Sequence, residues 1–195
     1  MLVNTRRVGQ GIVFDGSFRL ELQALRRFSA ESHRLTAWLS VVDSEATAAP
    51  VISPLSATAA GDVRIAICAP RTIERNGSMT IVSTEGRDDT KDIVVLSRTS
   101  DETVVIDGIP LTFALQKGSA PQPLLRFTPT SLGEQIDVCV VEAMPSSSSI
   151  ATGAPRSVRI LRSEIWTPVG NDNEKAASWT TDSLEALSRR PLPLR

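Results

Sequence analysis

Residues 1–16 read Met-Leu-Val-Asn-Thr-Arg-Arg-Val-Gly-Gln-Gly-Ile-Val-Phe-Asp-Gly, and this stretch decides the fold that the sequence predicts. A short apolar strand carries Arg6 and Arg7 and leads, after a glycine turn, to a second apolar run that ends at Asp15-Gly16. Apolar runs separated by glycine turns are typical of β-hairpins. The stretch is therefore predicted to be a hairpin whose first strand is basic.

A weaker copy of this hairpin begins at Ile93. Arg98 lies 92 positions after Arg6, and Gly108 lies 92 positions after Gly16, so a single ungapped offset relates the two copies. A shared offset across a whole hairpin favours an internal duplication over two unrelated hairpins. The second half of the chain is therefore predicted to repeat the first.

Most of the remaining chain alternates apolar and polar residues with a period of two, which is typical of half-buried strands. This pattern predicts an all-β fold. The further predicted strands are residues 18–25, 33–42, 63–70, 79–84, 111–115, 135–141 and 157–166. Residues 44–60 and 146–155 show no period and are predicted to be loops, and residues 26–34 have a short helix as an alternative.

The duplication predicts two repeats that form one globular unit. The first repeat spans residues 1–91 with an insertion at 26–60, and the second spans residues 92–167 with an insertion at 120–130. Residues 168–195 are predicted to be a polar tail that holds a short helix before its final prolines.

Composition points to a soluble, globular and cytoplasmic protein. The chain has 195 residues, a net charge of −1 and 41% hydrophobic residues. No apolar run approaches the roughly 18 residues of a membrane span, and the N-terminus lacks the apolar region of a signal peptide. We therefore expect no membrane contact.

Residues suited to catalysis or metal binding are sparse. His33 is the only histidine, and the sequence holds no glycine-rich phosphate loop and no Ser/His/Asp or Cys/His arrangement. Cys68 and Cys139 lie in apolar runs, which favours buried reduced thiols over a disulfide. We predict a protein that is not an enzyme and that has no metal site and no cofactor.

Arginines are concentrated near the N-terminus. Residues 1–35 hold six arginines against three acidic residues, which permits a basic face despite the overall charge. The alternative is an ordinary solvated strand edge. Because the chain has five Phe, three Trp and no Tyr, base stacking would not dominate nucleic-acid binding. Trp38 and Trp166 are expected to pack in the core.

Three segments occur in an order that resembles a known family. They are Met-Leu-Val-Asn-Thr-Arg-Arg-Val-Gly at residues 1–9, Gly-Asp-Val-Arg-Ile-Ala-Ile-Cys-Ala-Pro at residues 61–70 and Val-Arg-Ile-Leu-Arg-Ser-Glu-Ile at residues 158–165. Together they resemble the carbon storage regulator family CsrA/RsmA, small bacterial mRNA-binding regulators. Family members are homodimers of five-stranded chains in which the first strand of one subunit pairs with the last strand of the other.

The resemblance implies two fused subunits, a monomeric pseudo-dimer built as an interlocked β-sandwich or barrel. Strand exchange would then place residues 2–7 beside residues 158–164. It would also place residues 93–98 beside residues 79–84.

The resemblance also implies RNA-binding residues, because family members bind GGA in single-stranded loops. The composite of the first and last strands keeps the residues Thr5, Arg6, Arg7, Pro145, Ile160 and Arg162. A weaker second composite keeps Leu96, Ser97, Arg98, Pro70 and Arg71. In this comparison, the counterpart of residues 63–67 is the run at residues 135–141. The counterpart of Ala69-Pro70 is Met144-Pro145.

Several positions depart from the family pattern. Asn4 stands where the family has leucine, Leu161 where it has histidine, and Ser163 where it has the first glutamate. In the second composite, Thr99 replaces a basic residue, and Ser83 falls where the key arginine belongs if residues 79–84 are the last strand. An alternative register, in which the strand starts at Ile73-Glu74-Arg75, would change that assignment.

Three functions are compatible with these residues. The first is a translational regulator that binds single-stranded RNA in mRNA leaders. The second is a protein-interaction or structural module that kept the scaffold, lost RNA binding and uses the insertions at 26–60 and 120–130 as partner surfaces. The third is a β-sandwich adaptor whose resemblance to the family is fortuitous.

Overall fold

The computed structural model describes residues 1–28, 34–58, 60–84, 92–99, 102–116 and 121–166. Within these ranges the chain forms fifteen strands and one helical turn at residues 163–166, so the predicted all-β class is confirmed. No helix in these ranges is long and apolar enough to cross a membrane. The helix predicted within residues 168–195 lies outside the described part of the chain.

The strands are numbered in chain order. The first eight are β1 (Leu2–Arg6), β2 (Gly11–Phe14), β3 (Phe18–Arg27), β4 (Leu35–Asp43), β5 (Val51–Ala57), β6 (Val63–Cys68), β7 (Thr72–Asn76) and β8 (Met79–Ser83). The others are β9 (Ile93–Arg98), β10 (Thr103–Ile106), β11 (Ile109–Gln116), β12 (Gln122–Phe127), β13 (Ile136–Ala143), β14 (Ser148–Gly153) and β15 (Ile160–Arg162).

Two sheets share one core between their inner faces. The eight-stranded sheet A has the order β1-β14-β13-β12-β11-β10-β8-β7, and the seven-stranded sheet B has the order β15-β2-β3-β4-β5-β6-β9. All neighbouring strands are antiparallel except β8 and β10, which are parallel. Each sheet therefore contains strands from both halves of the chain.

Residues 1–16 do not form the predicted hairpin. β1 lies in sheet A and β2 lies in sheet B, because the turn at residues 7–10, with Gly9 at a φ of 81°, carries the chain from one sheet to the other. The predicted turn at Asp15-Gly16 is present, but it joins β2 to β3. Asp15 and Gly16 have positive φ, 47° and 79°, as the two central residues of a type I′ β-turn do, and Ser17 completes the connection because Phe14 pairs with Phe18.

The strand pairings that the resemblance implied are wrong. β1 pairs with β14, with Arg6 opposite Ser148, and not with residues 158–164. β9 pairs with β6, with Arg98 opposite Val63, and not with residues 79–84. The short β15 instead extends sheet B beside β2. The buried strands β6 and β14 would each have an open edge without these partners, and open edges favour pairing.

Three other segments differ from their prediction. β5 lies within the predicted loop 44–60, β12 within the insertion 120–130 and β14 within the predicted loop 146–155. Serine, alanine, threonine or proline fills four of the seven positions of β5 and four of the six positions of β14, so no apolar–polar alternation marks these strands. The last predicted strand ends at Arg162, and residues 163–166 form the helical turn instead.

The core is aromatic at one end and aliphatic elsewhere. Phe18 contacts Phe14 and Phe127, with both pairs of ring centroids 5.7 Å apart. Burial of each such side chain stabilises the fold by about 1.5–3 kcal/mol. Trp38 is buried in a separate small cluster with Ala66 and Cys68, which confirms its predicted packing role.

Candidate nucleic-acid interface

β1 forms one edge of sheet A and presents its side chains alternately to two environments. Asn4 and Arg6 are buried, whereas Val3 and Thr5 are exposed. This alternation follows from the pleat of a strand, which sends successive side chains to opposite faces. Arg7 follows the strand and is also exposed. The two neighbouring arginines therefore have different environments.

Arg6 is a buried cation with two charge-stabilising partners. Its side chain is 2% exposed. Nη1 lies 3.1 Å from Oε1 of Glu164, and Nη2 donates to Oδ1 of Asn4 over 3.1 Å. Burial lowers the pKa of Arg6, Glu164 opposes that effect, and the nearby charge of Arg162 adds to it. Asn4 is thus a hydrogen-bond acceptor for Arg6, a role that the sequence alone did not indicate.

β15 presents Arg162 on the neighbouring edge of sheet B. Arg162 lies opposite Ile12 in the ladder and is exposed, while Ile160 lies opposite Phe14 and is half-buried. The helical turn that follows is attached to β2 by the hydroxyl of Ser163, which accepts from the backbone N–H of Gly11 over 2.8 Å. The departure at Ser163 therefore serves to hold the last strand in place.

The Asp15-Gly16 turn fixes the other end of β15. The backbone N–H of Arg159 donates to Oδ1 of Asp15 over 3.2 Å, and the N–H of Asp15 donates to the carbonyl of Arg159 over 3.0 Å. The Trp166 ring lies against Gly16, where a Cβ would be 2.4 Å from Cζ2 of the indole. Half-buried Trp166 therefore packs against the protein here.

The structure brings most residues of the first predicted site to one edge. Arg6 and Arg162 are close enough for their charges to interact, and Thr5 is exposed on the same strand as Arg6. Pro145 lies in the turn before β14 and is exposed, three positions before Ser148, the ladder partner of Arg6.

The predicted counterpart of Ala69-Pro70 is wrong. β14 pairs with β1 as β6 pairs with β9, so the dipeptide that follows β14, Ala154-Pro155, corresponds to the one that follows β6. The apolar run at residues 135–141 resembled β6 more closely than the serine-rich β14 does. The repeated Ala-Pro dipeptide was the signal that would have found the correct register.

The second predicted site has a different arrangement. Nη2 of Arg98 donates to Oγ1 of Thr80 over 2.8 Å, and Thr80 is 2% exposed. Thr80 lies opposite Val104, which is 92 positions after Ile12, the ladder partner of Arg162, but β8 runs parallel to β10 whereas β15 runs antiparallel to β2. Of the other predicted residues, Leu96 and Pro70 are buried. Ser97 and Arg71 are exposed.

Part of the chain is similar to three proteins named translational regulator CsrA. The one from Geobacter metallireducens is 36% identical over 56 residues, which cover 29% of this chain and 72% of the relative. The one from Geotalea uraniireducens is 36% identical over 55 residues, covering 28% and 70%. The one from Clostridium acetobutylicum is 32% identical over 57 residues, covering 29% and 78%. No protein-family model and no solved structure matches the chain.

Proposed function

Because the chain belongs to the CsrA family of translational regulators, we propose that it binds single-stranded GGA-type motifs in mRNA leaders and blocks translation there. The main support is the edge where β1 and β15 approach each other, with Arg6 and Arg7 from one end of the sequence and Arg162 from the other. Guanidinium groups bind phosphates and guanine edges bidentately. The protein would act by binding, without catalysis and without a cofactor, in the cytoplasm.

The residues at this edge would have two roles. Arg162, Arg7 and Thr5 are exposed, so we assign them direct contact with RNA. Arg6 is buried and bound to Glu164, so we assign it the positioning of β15 relative to β1. Among the described strands, β1 and β15 each pair with a single neighbour, and the main-chain groups on their other side are suited to reading unstacked bases. Contacts from Ile160 and Pro145 stay predictions.

We also propose that the chain is a tandem of two CsrA-like repeats, residues 1–91 and 92–167, that acts as a monomer. The Asp107-Gly108 turn supports this, because its φ values of 48° and 83° nearly equal the 47° and 79° of the corresponding turn 92 positions earlier. Corresponding insertions are a second support: β4 and β5 lie between β3 and β6, and β12 and β13 lie between β11 and β14. Light scattering should give the monomer mass of 21.0 kDa.

The two composites would differ in function. Arg98 corresponds to Arg6 by position, but its guanidinium donates to the buried hydroxyl of Thr80, whereas Arg6 has the exposed Arg162 nearby. A guanidinium bound to an internal hydroxyl offers less to a phosphate than an exposed guanidinium does. We therefore propose one RNA site per chain, at β1 and β15.

An RNA-binding assay tests the proposal. A GGA hairpin should bind the wild-type protein and a CCA control should not, at a stated salt concentration. Arg162→Ala should weaken binding by about 1–3 kcal/mol and reduce the salt slope by about one. Arg159→Ala is the matched control, because Arg159 lies three positions earlier, is 74% exposed and pairs with Asp15. The proposal fails if Arg162→Ala folds normally and binds the GGA hairpin like the wild type.

A further inference from the structure

Two inserted pairs of strands open as forks at the same end of the sandwich. β4 and β5 pair only where Leu39 and Ser40 lie opposite Ile52 and Val51. Beyond that point, and among the residues that the structure describes, β4 pairs with β3 alone and β5 pairs with β6 alone. In sheet A, β12 and β13 likewise pair over three positions near the start of β13 and then separate toward β11 and β14.

A β-bulge accompanies each fork. Leu55 interrupts the register between β5 and β6, and Val141 interrupts the register between β13 and β14. A bulge bends its strand and increases the local twist, which moves the strand away from its other neighbour. Pro54 and Pro123 lie on the separated strands, where they supply no N–H to close the gap. A β-bulge and a proline therefore accompany the separation of the strands in each sheet.

The two forks border one cavity of about 700 Å³. Its lining includes residues 35–37, 54–57, 121–123 and 140–143, which are the diverging parts of the four strands. Ligand sites in proteins have volumes of about 300–1,000 Å³. The cavity therefore has the size of a binding site, and within the described part of the chain its strand segments have no neighbour on the side of the fork.

The main-chain carbonyl of Val141 is bonded by a side chain rather than by a neighbouring strand. Nε2 of Gln122, on β12, donates to the carbonyl of the bulged Val141 over 3.5 Å, at the long limit of a hydrogen bond. A main-chain N–H from an added strand would satisfy this acceptor at a shorter distance. Open edges of this kind accept extended segments of other chains.

We propose that this cavity binds an extended, mainly apolar peptide segment of a partner protein, which adds as a strand between the separated strands. Main-chain hydrogen bonds would hold the peptide, and its alternate side chains would enter the apolar space beside Leu55 and Val141. The described lining residues include one cation, Arg34, and one carboxylate, Glu142. Because these two charges are opposite, the lining suits an uncharged peptide segment and attracts the phosphates of RNA only weakly.

A random peptide library displayed on phage and selected on the full chain tests the proposal. The enriched peptides should alternate apolar residues and should bind in fluorescence anisotropy. Bound peptide should slow amide exchange in β4, β5, β12 and β13. Val141→Asp should weaken binding at least tenfold, because Val141 is 43% exposed in the cavity wall and a carboxylate there opposes an apolar peptide.

The matched control is Ile73→Asp, because Ile73 is 42% exposed on the edge strand β7, outside the cavity. This variant should bind the enriched peptides like the wild type, and both variants should retain GGA RNA binding, so a failure here is distinguishable from a failure of the RNA site. The proposal is overturned if no peptide is enriched, or if Val141→Asp binds the peptides unchanged. Self-association that Val141→Asp abolishes would also overturn it, because the cavity would then bind a second copy of the chain.

Discussion

Nη1 of Arg6 lies 3.1 Å from Oε1 of Glu164, although the two residues are 158 positions apart in the chain. Arg6 belongs to the edge strand of sheet A, and Glu164 belongs to the helical turn that follows the edge strand of sheet B. The pair therefore connects the two sheets at the proposed RNA site. Its partners differ in exposure, with 2% of the Arg6 side chain and 42% of the Glu164 side chain accessible.

Glu164→Gln should destabilise the protein. Loss of the carboxylate leaves the buried Arg6 charge without its counter-ion, which costs more than loss of an exposed pair and less than loss of a fully buried one. We expect a decrease of about 1–2 kcal/mol in the free energy of unfolding. Urea denaturation measures it. Glu134→Gln, at an exposed position, is the control and should change stability little. Equal stability of the two variants would contradict the assigned role of the pair.

Gly16→Ala should be more harmful than Gly108→Ala, although both glycines have similar positive φ values of 79° and 83°. Either alanine meets a backbone penalty of about 1–2 kcal/mol in this region. The alanine at position 16 must also displace the Trp166 ring, whereas no atom of the described residues lies within 4 Å of the corresponding point at Gly108. Overpacking adds about 1–3 kcal/mol. Thermal unfolding of both variants measures the difference, and similar melting temperatures would show that Trp166 does not pack there.

Stability should fall as the pH rises above about 9, because burial raises the pKa of both Cys68 and Cys139. The folded state holds these thiol protons more tightly than the unfolded state does. The contribution of these thiols to the free energy of unfolding is therefore complete below the pKa of the thiol in the unfolded state. It is lost as the pH rises through the pKa of the thiol in the folded state. Urea denaturation from pH 7 to 10 measures this trend. The Cys68→Ala/Cys139→Ala variant should show a smaller decrease, and an unchanged decrease would contradict the prediction.

Thr80→Val should reduce stability without affecting RNA binding. The valine removes the acceptor of Arg98 and leaves a charged donor without its partner, which costs about 1–3 kcal/mol. Since the proposed RNA site at β1 and β15 does not include Thr80, the GGA hairpin should bind with unchanged affinity and a stoichiometry of one. Denaturation and calorimetric titration measure the two quantities. A measured stoichiometry of two in the wild-type protein would contradict the single-site proposal.

Local features of the fold were accessible from the sequence because they depend on residues near each other in the chain. Alternation predicted β3 and β6, and the Asp15-Gly16 pair predicted a tight turn. The strands β5 and β14 were missed, because serine, alanine, threonine or proline fills most of their positions and leaves no apolar–polar alternation. Asn4 departs from the family pattern, and its function as an acceptor for Arg6 became visible only with the side chains in place.

The sequence by itself determined the all-β class, the 92-residue offset between the two halves and the arginines that the site would use. Tertiary structure alone decided which strands are neighbours, that Arg6 is buried while Arg162 is exposed, and that Arg98 binds the buried hydroxyl of Thr80. The physical reason is that alternation and turn chemistry are local properties. Strand pairing instead depends on which strand edges remain open and which apolar faces must be covered. Both depend on residues that are far apart in the chain.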